Sequence, residues 1–321
     1  MSQPISSPPS SALLSAAMTS ARTYALALMP VFPRPVARLL ISSFVFVLGR
    51  AVALPFMVLY LTRHLGLTQN QVGWILGGSI MVATVSGLYS GFLVDRISKQ
   101  KLMSVACLMV ALCSLLLSVA AYALAAFAML ALIEAALVLR SVSLKAMLAD
   151  FLPPAKRTRA FSMNYLLINL AFALGPVLGA YAYGVQISSP LWLSAGFALL
   201  ATWVVNAKSA GIASALAAKE SPVIASPART SFSDTLHDLK SDRRLILFTL
   251  GSVLTSFVFG RFISGYLAQY LLISRGVRMA TELIPVILMT NAVGVVVLQY
   301  AIGKRIQHQH LFAWVCVGVL L

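Results

Sequence analysis

The sequence predicts an all-α protein, a polytopic membrane helix bundle, and three observations carry that prediction. Of 321 residues, 60% are hydrophobic and only 10% charged, and the mean hydropathy is +0.91; a soluble domain keeps about a quarter of its residues charged. The apolar residues fall in runs of about 20, the length that crosses a bilayer's hydrocarbon core as an α-helix. The charges between these runs are mostly positive, which is the mark of membrane orientation.

Residues 1–37 are rich in Ser, Pro and Ala, as in Ser6-Ser7-Pro8-Pro9-Ser10-Ser11. They lack the basic start and long apolar stretch of a secretory signal, and are expected to form a disordered cytoplasmic tail. Eight segments then meet the length requirement: 39–61, 72–94, 102–121, 124–148, 162–184, 190–207, 245–270 and 281–303. A ninth begins near His310 and runs on to Leu321. Segment 208–244 is polar and basic, with Lys219-Glu220-Ser221-Pro222 and Ser226-Pro227, and reads as a cytoplasmic linker. The chain therefore divides into an N-terminal six-helix half, 38–207, the linker, and a second set of helices, 245–321, holding helices 7, 8 and part of 9.

Orientation follows from the loops. Seventeen Lys and Arg lie in segments 1–38, 95–101, 155–160, 208–244 and 304–309, against three on the other side, Arg63, Arg275 and Arg278. Basic residues stay on the cytoplasmic side, so the N-terminus is expected inside. A net charge of +16 would suggest nucleic acid if the cations shared one accessible face with aromatics between them. They cap apolar segments instead, which argues against it. Cys107, Cys113 and Cys316 all lie within apolar segments, without metal-ligand spacing, and read as small buried groups. No metal, cofactor or enzymatic nucleophile is expected.

Four cations fall inside the spans: Arg50, Arg140, Lys145 and Arg261. A charge in hydrocarbon costs several kcal/mol, about 2.5–3.5 on the lenient insertion scale, so each needs a partner or a polar cavity. Leu48-Gly49-Arg50 in the first helix is echoed by Phe259-Gly260-Arg261 in the seventh, a weak repeat of the kind transporters carry. Helix four holds Glu134, Val138, Ser141 and Lys145 along one face, while Arg140 points about a third of a turn away. Glu134 is the one acid deep within the spans; Asp95, Asp150 and Glu282 lie near helix ends. Burial favours the protonated form of a carboxyl group, so Glu134 is the candidate for a coupling proton. Two readings stay open for the cations: substrate binding in a cavity, or ion pairs that lock helices together.

Helix two ends with Gly87-Leu-Tyr-Ser-Gly91-Phe-Leu-Val-Asp95-Arg96-Ile-Ser98-Lys99-Gln100-Lys101. Gly87 and Gly91 lie one turn apart and allow close helix approach, and Asp95 stands where it can meet a cation or a helix N-terminus. Helix five carries Gly175-Pro176-Val-Leu-Gly179, where proline removes a backbone hydrogen bond. The first pattern resembles the loop signature of the major facilitator superfamily, Gly-x-x-x-Asp-Arg-x-Gly followed by basic residues. Ser98 stands in place of a glycine, and Gln100 interrupts the basic run. The second resembles that superfamily's antiporter signature, with Ala171 replacing its earlier glycine. Gly49-Arg50 through Pro55 and Tyr60, with Lys145, Asp150, Asn164-Tyr165, Asn291, Gln299 and Lys304-Arg305, is similar to bacterial inner-membrane dipeptide exporters and drug:proton antiporters of the superfamily.

That resemblance covers about residues 38–321 and implies twelve helices around a central cavity between two halves. This chain would then have a major facilitator fold lacking the last three to four helices, with Asp95 awaiting an absent eleventh helix. The function implied is proton-coupled export of small solutes such as dipeptides by alternating access, by a monomer in a bacterial inner membrane. The expected substrate-binding residues are Arg50, Tyr60, Arg140, Lys145, Tyr165, Arg261 and Asn291, with Glu134 coupling the proton. Gly87, Gly91, Asp95, Arg96, Gly175, Pro176 and Gly179 are the expected gating residues. Pro55, Asn169 and Gln299 are further cavity candidates, for which ordinary packing is the competing reading. Multidrug export, and a truncated, transport-inactive remnant, are the alternative functions.

Overall fold

The computed structural model describes residues 32–207, 243, 246–247, 250–251 and 266–306. Every regular element among them is helical: α1 (Arg34–Ala53), a 3-10 turn (Leu54–Phe56), α2 (Met57–Arg63), α3 (Gln69–Arg96), α4 (Lys99–Ser118), α5 (Ala123–Phe151), α6 (Pro154–Val185), α7 (Ser189–Asn206) and α8 (Leu267–Ile306). The pass Arg34–Arg63 and helices α4 to α7 are five spans long and apolar enough to cross a membrane. Helix α3, bent by 43° between Gly87 and Tyr89, supplies a sixth.

The observed helices outrun several of the apolar segments that mark them. Helix α6 starts at Pro154, where a missing N–H costs nothing because first-turn donors have no helical acceptor. Its Lys156, Arg157 and Arg159 precede the apolar run. Helix α3 starts on a capping box: Gln71 N donates to Thr68 Oγ1 at 3.4 Å, and Thr68 N to Gln71 Oε1 at 2.9 Å. Its bend has a local cause. Thr84, Ser86 and Ser90 each donate a hydroxyl to the carbonyl four residues earlier, at 2.8–2.9 Å, and such back-bonding beside a glycine bends helices.

The connection expected between 270 and 281 is short: helix runs up to Gly276 and begins again after it, and Gly276, at φ 77° and ψ 174°, is the kink between the two helical stretches grouped as α8. Segment 281–303 lies within α8. Most of segment 245–270, and all of the ninth, fall outside the described residues.

Helix α1 packs between α6 and α7, α4 between α5 and α7, α3 on α5, and α8 on α6. Three apolar clusters succeed one another from the basic face to the opposite face. The first holds Leu39, Met103 and Met147, and the second Phe46, Cys107 and Ala198. The third joins Met57, Leu61 and Leu117 to Leu271 and Ile284 of α8. Helix ends are held by neighbours. Tyr60 Oη donates to the Leu117 carbonyl at 2.6 Å and Trp192 Nε1 to Ser118 Oγ at 3.0 Å. On the basic face Gln100 Nε2 donates to the Val205 carbonyl at 3.4 Å, Arg38 Nη1 to that of Ala207 at 3.2 Å, and Asn206 Nδ2 to Ser104 Oγ at 2.9 Å.

Candidate substrate and proton site

The pass Arg34–Arg63 places Arg50 about 2 Å from its midpoint, and α5 places Glu134 about 4–5 Å from its own, at ~1.5 Å per residue. Across that mid-depth level Arg50 Nη2 meets Glu134 Oε2 at 3.5 Å, with the two side chains 36% and 18% exposed. The contact is single and long, and Arg50 Nε is buried without a hydrogen-bond partner. A guanidinium offers five donors; of these, Nε is the one buried without a partner among the described residues. Glu134 is the one carboxylate that pairs with Arg50 among the described residues.

Arg140 is placed differently. It is 2% exposed, enclosed by α1 and α4. Its Nε donates to Cys107 Sγ at 3.2 Å and its Nη2 to Ser42 O at 2.9 Å and Ser42 Oγ at 3.2 Å. The guanidinium carbon lies 4.0 Å from the centre of the Phe46 ring. No carboxylate joins this group among the described residues. Tyr60 is also interior, 2% exposed, with its hydroxyl on Leu117 and its ring stacked on His64. Cys107 and Cys113 are buried free thiols, while Cys316 lies outside the described residues.

Lys145 and Ser141 are exposed on the face that Glu134 begins. Lys145 stands about 12 Å from the α5 midpoint. Tyr165 is half exposed, Asn291 is exposed, and Asn169 Nδ2 donates to the Tyr165 carbonyl at 2.9 Å. Pro55 is buried in the 3-10 turn. Arg261 lies outside the described residues, and the side chain of Gln299 is likewise not described.

Among the expected gating residues, Gly175 and Gly179 face the α1 backbone at Ala51 and Val52, with no room for a Cβ. Pro176 lies inside α6. A Cβ on Gly87 would stand 3.3 Å from Val138 Cγ1, whereas Gly91 faces nothing within 4 Å. The close approach expected of that pair is made by Gly87 alone among the described residues. Asp95 is exposed, and Arg96 lies 4.0 Å over the Phe92 ring. Ser98 takes φ −51° and ψ 116° as the N-cap of α4, a conformation open to any residue. Asp150 pairs with Lys99 at 2.8 Å.

Sequence reasoning did not single out Ser42 or Ser43, and read Cys107 as a small buried group without its contact to Arg140. Ser43 Oγ donates to Asn164 Oδ1 at 2.7 Å, tying α1 to α6. Two adjacent serines in an apolar run were the available signal, since each needs a partner there. A groove of about 600 Å³ lined by Thr62, Arg63, Leu67, Thr68, Gln69, Asn70 and Leu272 opens at the opposite face. Arg63 is thirteen residues beyond Arg50, about 20 Å along the helix, so the groove is separate from the pair.

Comparison with known proteins follows the same lines. The family model described as the Major Facilitator Superfamily matches residues 39–321. YdeE of Escherichia coli (strain K12), described as an uncharacterized MFS-type transporter, is 29% identical over 292 residues, covering 89% of this chain and 70% of YdeE. YqjV of Bacillus subtilis (strain 168), also an uncharacterized MFS-type transporter, is 26% identical, over 79% of this chain and 60% of its own length. The quinolone resistance protein NorA of Staphylococcus aureus is 22% identical over 50% of this chain and 41% of NorA. Among solved structures, a point mutant of the peptide transporter POT in complex with alafosfalin superposes with a TM-score of 0.52 at 22% identity. That match covers 75% of this chain and 50% of the transporter, and is a likeness of fold.

Proposed function

The chain belongs to the Major Facilitator Superfamily, and from that premise we propose that it is a secondary transporter exporting small solutes, dipeptides foremost, in exchange for protons. In this reading, residues 38–207 form one half and 245–321 begin the other, joined by 208–244. The halves rock about a midplane site, in an inner membrane, with the N-terminus in the cytoplasm and the transporter a monomer.

The observation that carries the reading is the Arg50–Glu134 contact: one cation and one acid, partly accessible, at mid-depth on two helices. A zwitterion suits this exchange because it can divide the pair, its ammonium beside ionised Glu134 and its carboxylate beside Arg50. A proton on Glu134 then takes the ammonium's place and releases the substrate, so proton and substrate hold the site in turn. Lys145, Tyr165, Asn291 and Arg261 are proposed to line the path, and Asp95, Arg96 and the glycines of α3 and α6 to serve the rocking. The similarity to NorA favours a second reading, export of amphipathic drugs, which would use Glu134 alone as the site for a cationic group.

The experiment is uptake of labelled dialanine into inverted vesicles carrying the full-length chain, under an imposed pH gradient, beside Glu134→Gln. Gradient-driven uptake that the variant loses supports the proposal. Undiminished uptake by the variant removes Glu134 from proton coupling, and absence of dialanine uptake beside gradient-driven uptake of a fluorescent cation transfers the reading to drugs.

A further inference from the structure

We propose that Gly49, Gly175 and Gly179 are positioning residues that grip the α1 backbone so that Arg50 meets Glu134; the inference rests on the reading of that pair as the working site. Residues 49–52 pass between α6 and α7. A Cβ on Gly49 would stand 2.7 Å from Phe197 Cβ and 3.1 Å from the Ser194 carbonyl oxygen of α7. A Cβ on Gly175 of α6 would collide with Ala51 Cβ and stand 2.8 Å from Ala51 C. One on Gly179 would collide with the Val52 carbonyl oxygen and stand 2.6 Å from Phe56 Cε2. Real Cβ atoms essentially never come closer than 3.0 Å to such neighbours, so no other residue fits these three positions unless backbone moves.

The grip matters because of where it closes. Gly49, Ala51 and Val52 are buried, and Arg50 is the one partly exposed residue among the four. With α6 and α7 holding its neighbours at backbone contact, its side chain leaves the grip toward Glu134 of α5. Immediately beyond, Pro55 offers no N–H to the Ala51 carbonyl, and the helix tightens into the 3-10 turn Leu54–Phe56. Such a break inside a helix is a place of bending. The glycines seat that break against α6 and keep it from swinging Arg50 away. The pair they hold is a 3.5 Å contact, at the limit of hydrogen bonding, so a backbone shift of a few tenths of an ångström removes it.

The test is a double-mutant cycle, Arg50→Gln with Glu134→Gln, read from denaturant unfolding of the detergent-solubilised full chain at pH 7. It is run in the native background and in Gly49→Ala, Gly179→Ala and Gly184→Ala. Gly184, in the same helix, has open space around its Cβ position and serves as the control. The expected coupling is about fivefold in the unfolding constant in the native and Gly184→Ala chains, falling to within about twofold of none in Gly49→Ala and Gly179→Ala. Should an alanine variant leave no folded chain, Phe56→Leu, which loosens the seat instead of overfilling it, is expected to lower the coupling likewise. Coupling that survives these changes, or that Gly184→Ala also abolishes, overturns the grip alone. Absence of coupling in the native chain overturns it together with the pairing beneath it.

Discussion

Replacing Arg140 by lysine and, separately, by methionine distinguishes a helix-locking cation from a substrate ligand, because the two roles rank the variants in opposite order. Lysine keeps the charge but not the fork. It forfeits the Nε donation to Cys107 and the paired Nη2 donation to Ser42, two charge-assisted interactions of about 1.5 kcal/mol each at the low end. An ammonium in the same enclosed space is also more strongly hydrated and so harder to bury. The expected loss for Arg140→Lys is about 3 kcal/mol, or a fall of roughly 6–12 °C in the unfolding midpoint for a unit of this size. Methionine forfeits the same bonds but also removes the buried charge, and apolar replacement of a buried ionic group is often close to neutral. Arg140→Met is therefore expected within about 1 kcal/mol of the native chain. The assays are thermal unfolding in detergent and transport kinetics in vesicles, with KM for both variants within about twofold of native once folded protein is equalised. A lysine variant that transports normally, beside a folded methionine variant with KM raised tenfold, would refute the reasoning and return Arg140 to the substrate path.

Two more outcomes follow from contacts of the same kind. Tyr60→Phe deletes the 2.6 Å bond to Leu117 O, whose carbonyl keeps the Ala120 N–H at 3.1 Å. Stability is expected to fall by about 1 kcal/mol with KM unchanged, and a raised KM without loss of stability would place Tyr60 against substrate. Gly276→Ala forces a side chain onto φ 77° and ψ 174°, a region essentially confined to glycine and costing about 1–3 kcal/mol otherwise. An unchanged unfolding midpoint for that variant would show that the break in α8 does not depend on its glycine.

Much of the architecture could be read from residue type because lipid permits few solutions: a backbone in hydrocarbon satisfies its own polar groups as helix, so apolar run length alone locates the passes. The same reasoning reached Glu134 and Arg50, since a charge inside such a run demands an explanation. It could not separate Arg50 from Arg140. Both are mid-depth arginines, and what distinguishes them is a thiol 33 residues away and a serine 98 away, contacts that no local spacing announces. Gln100 is a similar case. As a letter it interrupts a basic run; in the fold it closes the carbonyl end of α7, which a fourth cation could also have done. Tyr60 enters as a substrate-binding candidate through the resemblance, and no local spacing announces that the end of α4 offers its hydroxyl an acceptor. The connection expected around 271–280 is tighter than its polar residues suggest: Arg275 and Arg278 mark a wet segment, yet helix reaches the kink at Gly276 from both sides, and Arg278 and Glu282 bond one turn apart at 3.3 Å.

Helices α4 and α7 run antiparallel and are tied at both faces, by Trp192 to Ser118 at one and by Gln100 and Asn206 at the other. A piston-like slide of either helix along its axis would stretch bonds at both surfaces in the same stroke, whereas a common tilt stretches none of them. These ties favour motion of the two helices together, as a beam that a thinning or thickening membrane rotates more readily than it shears.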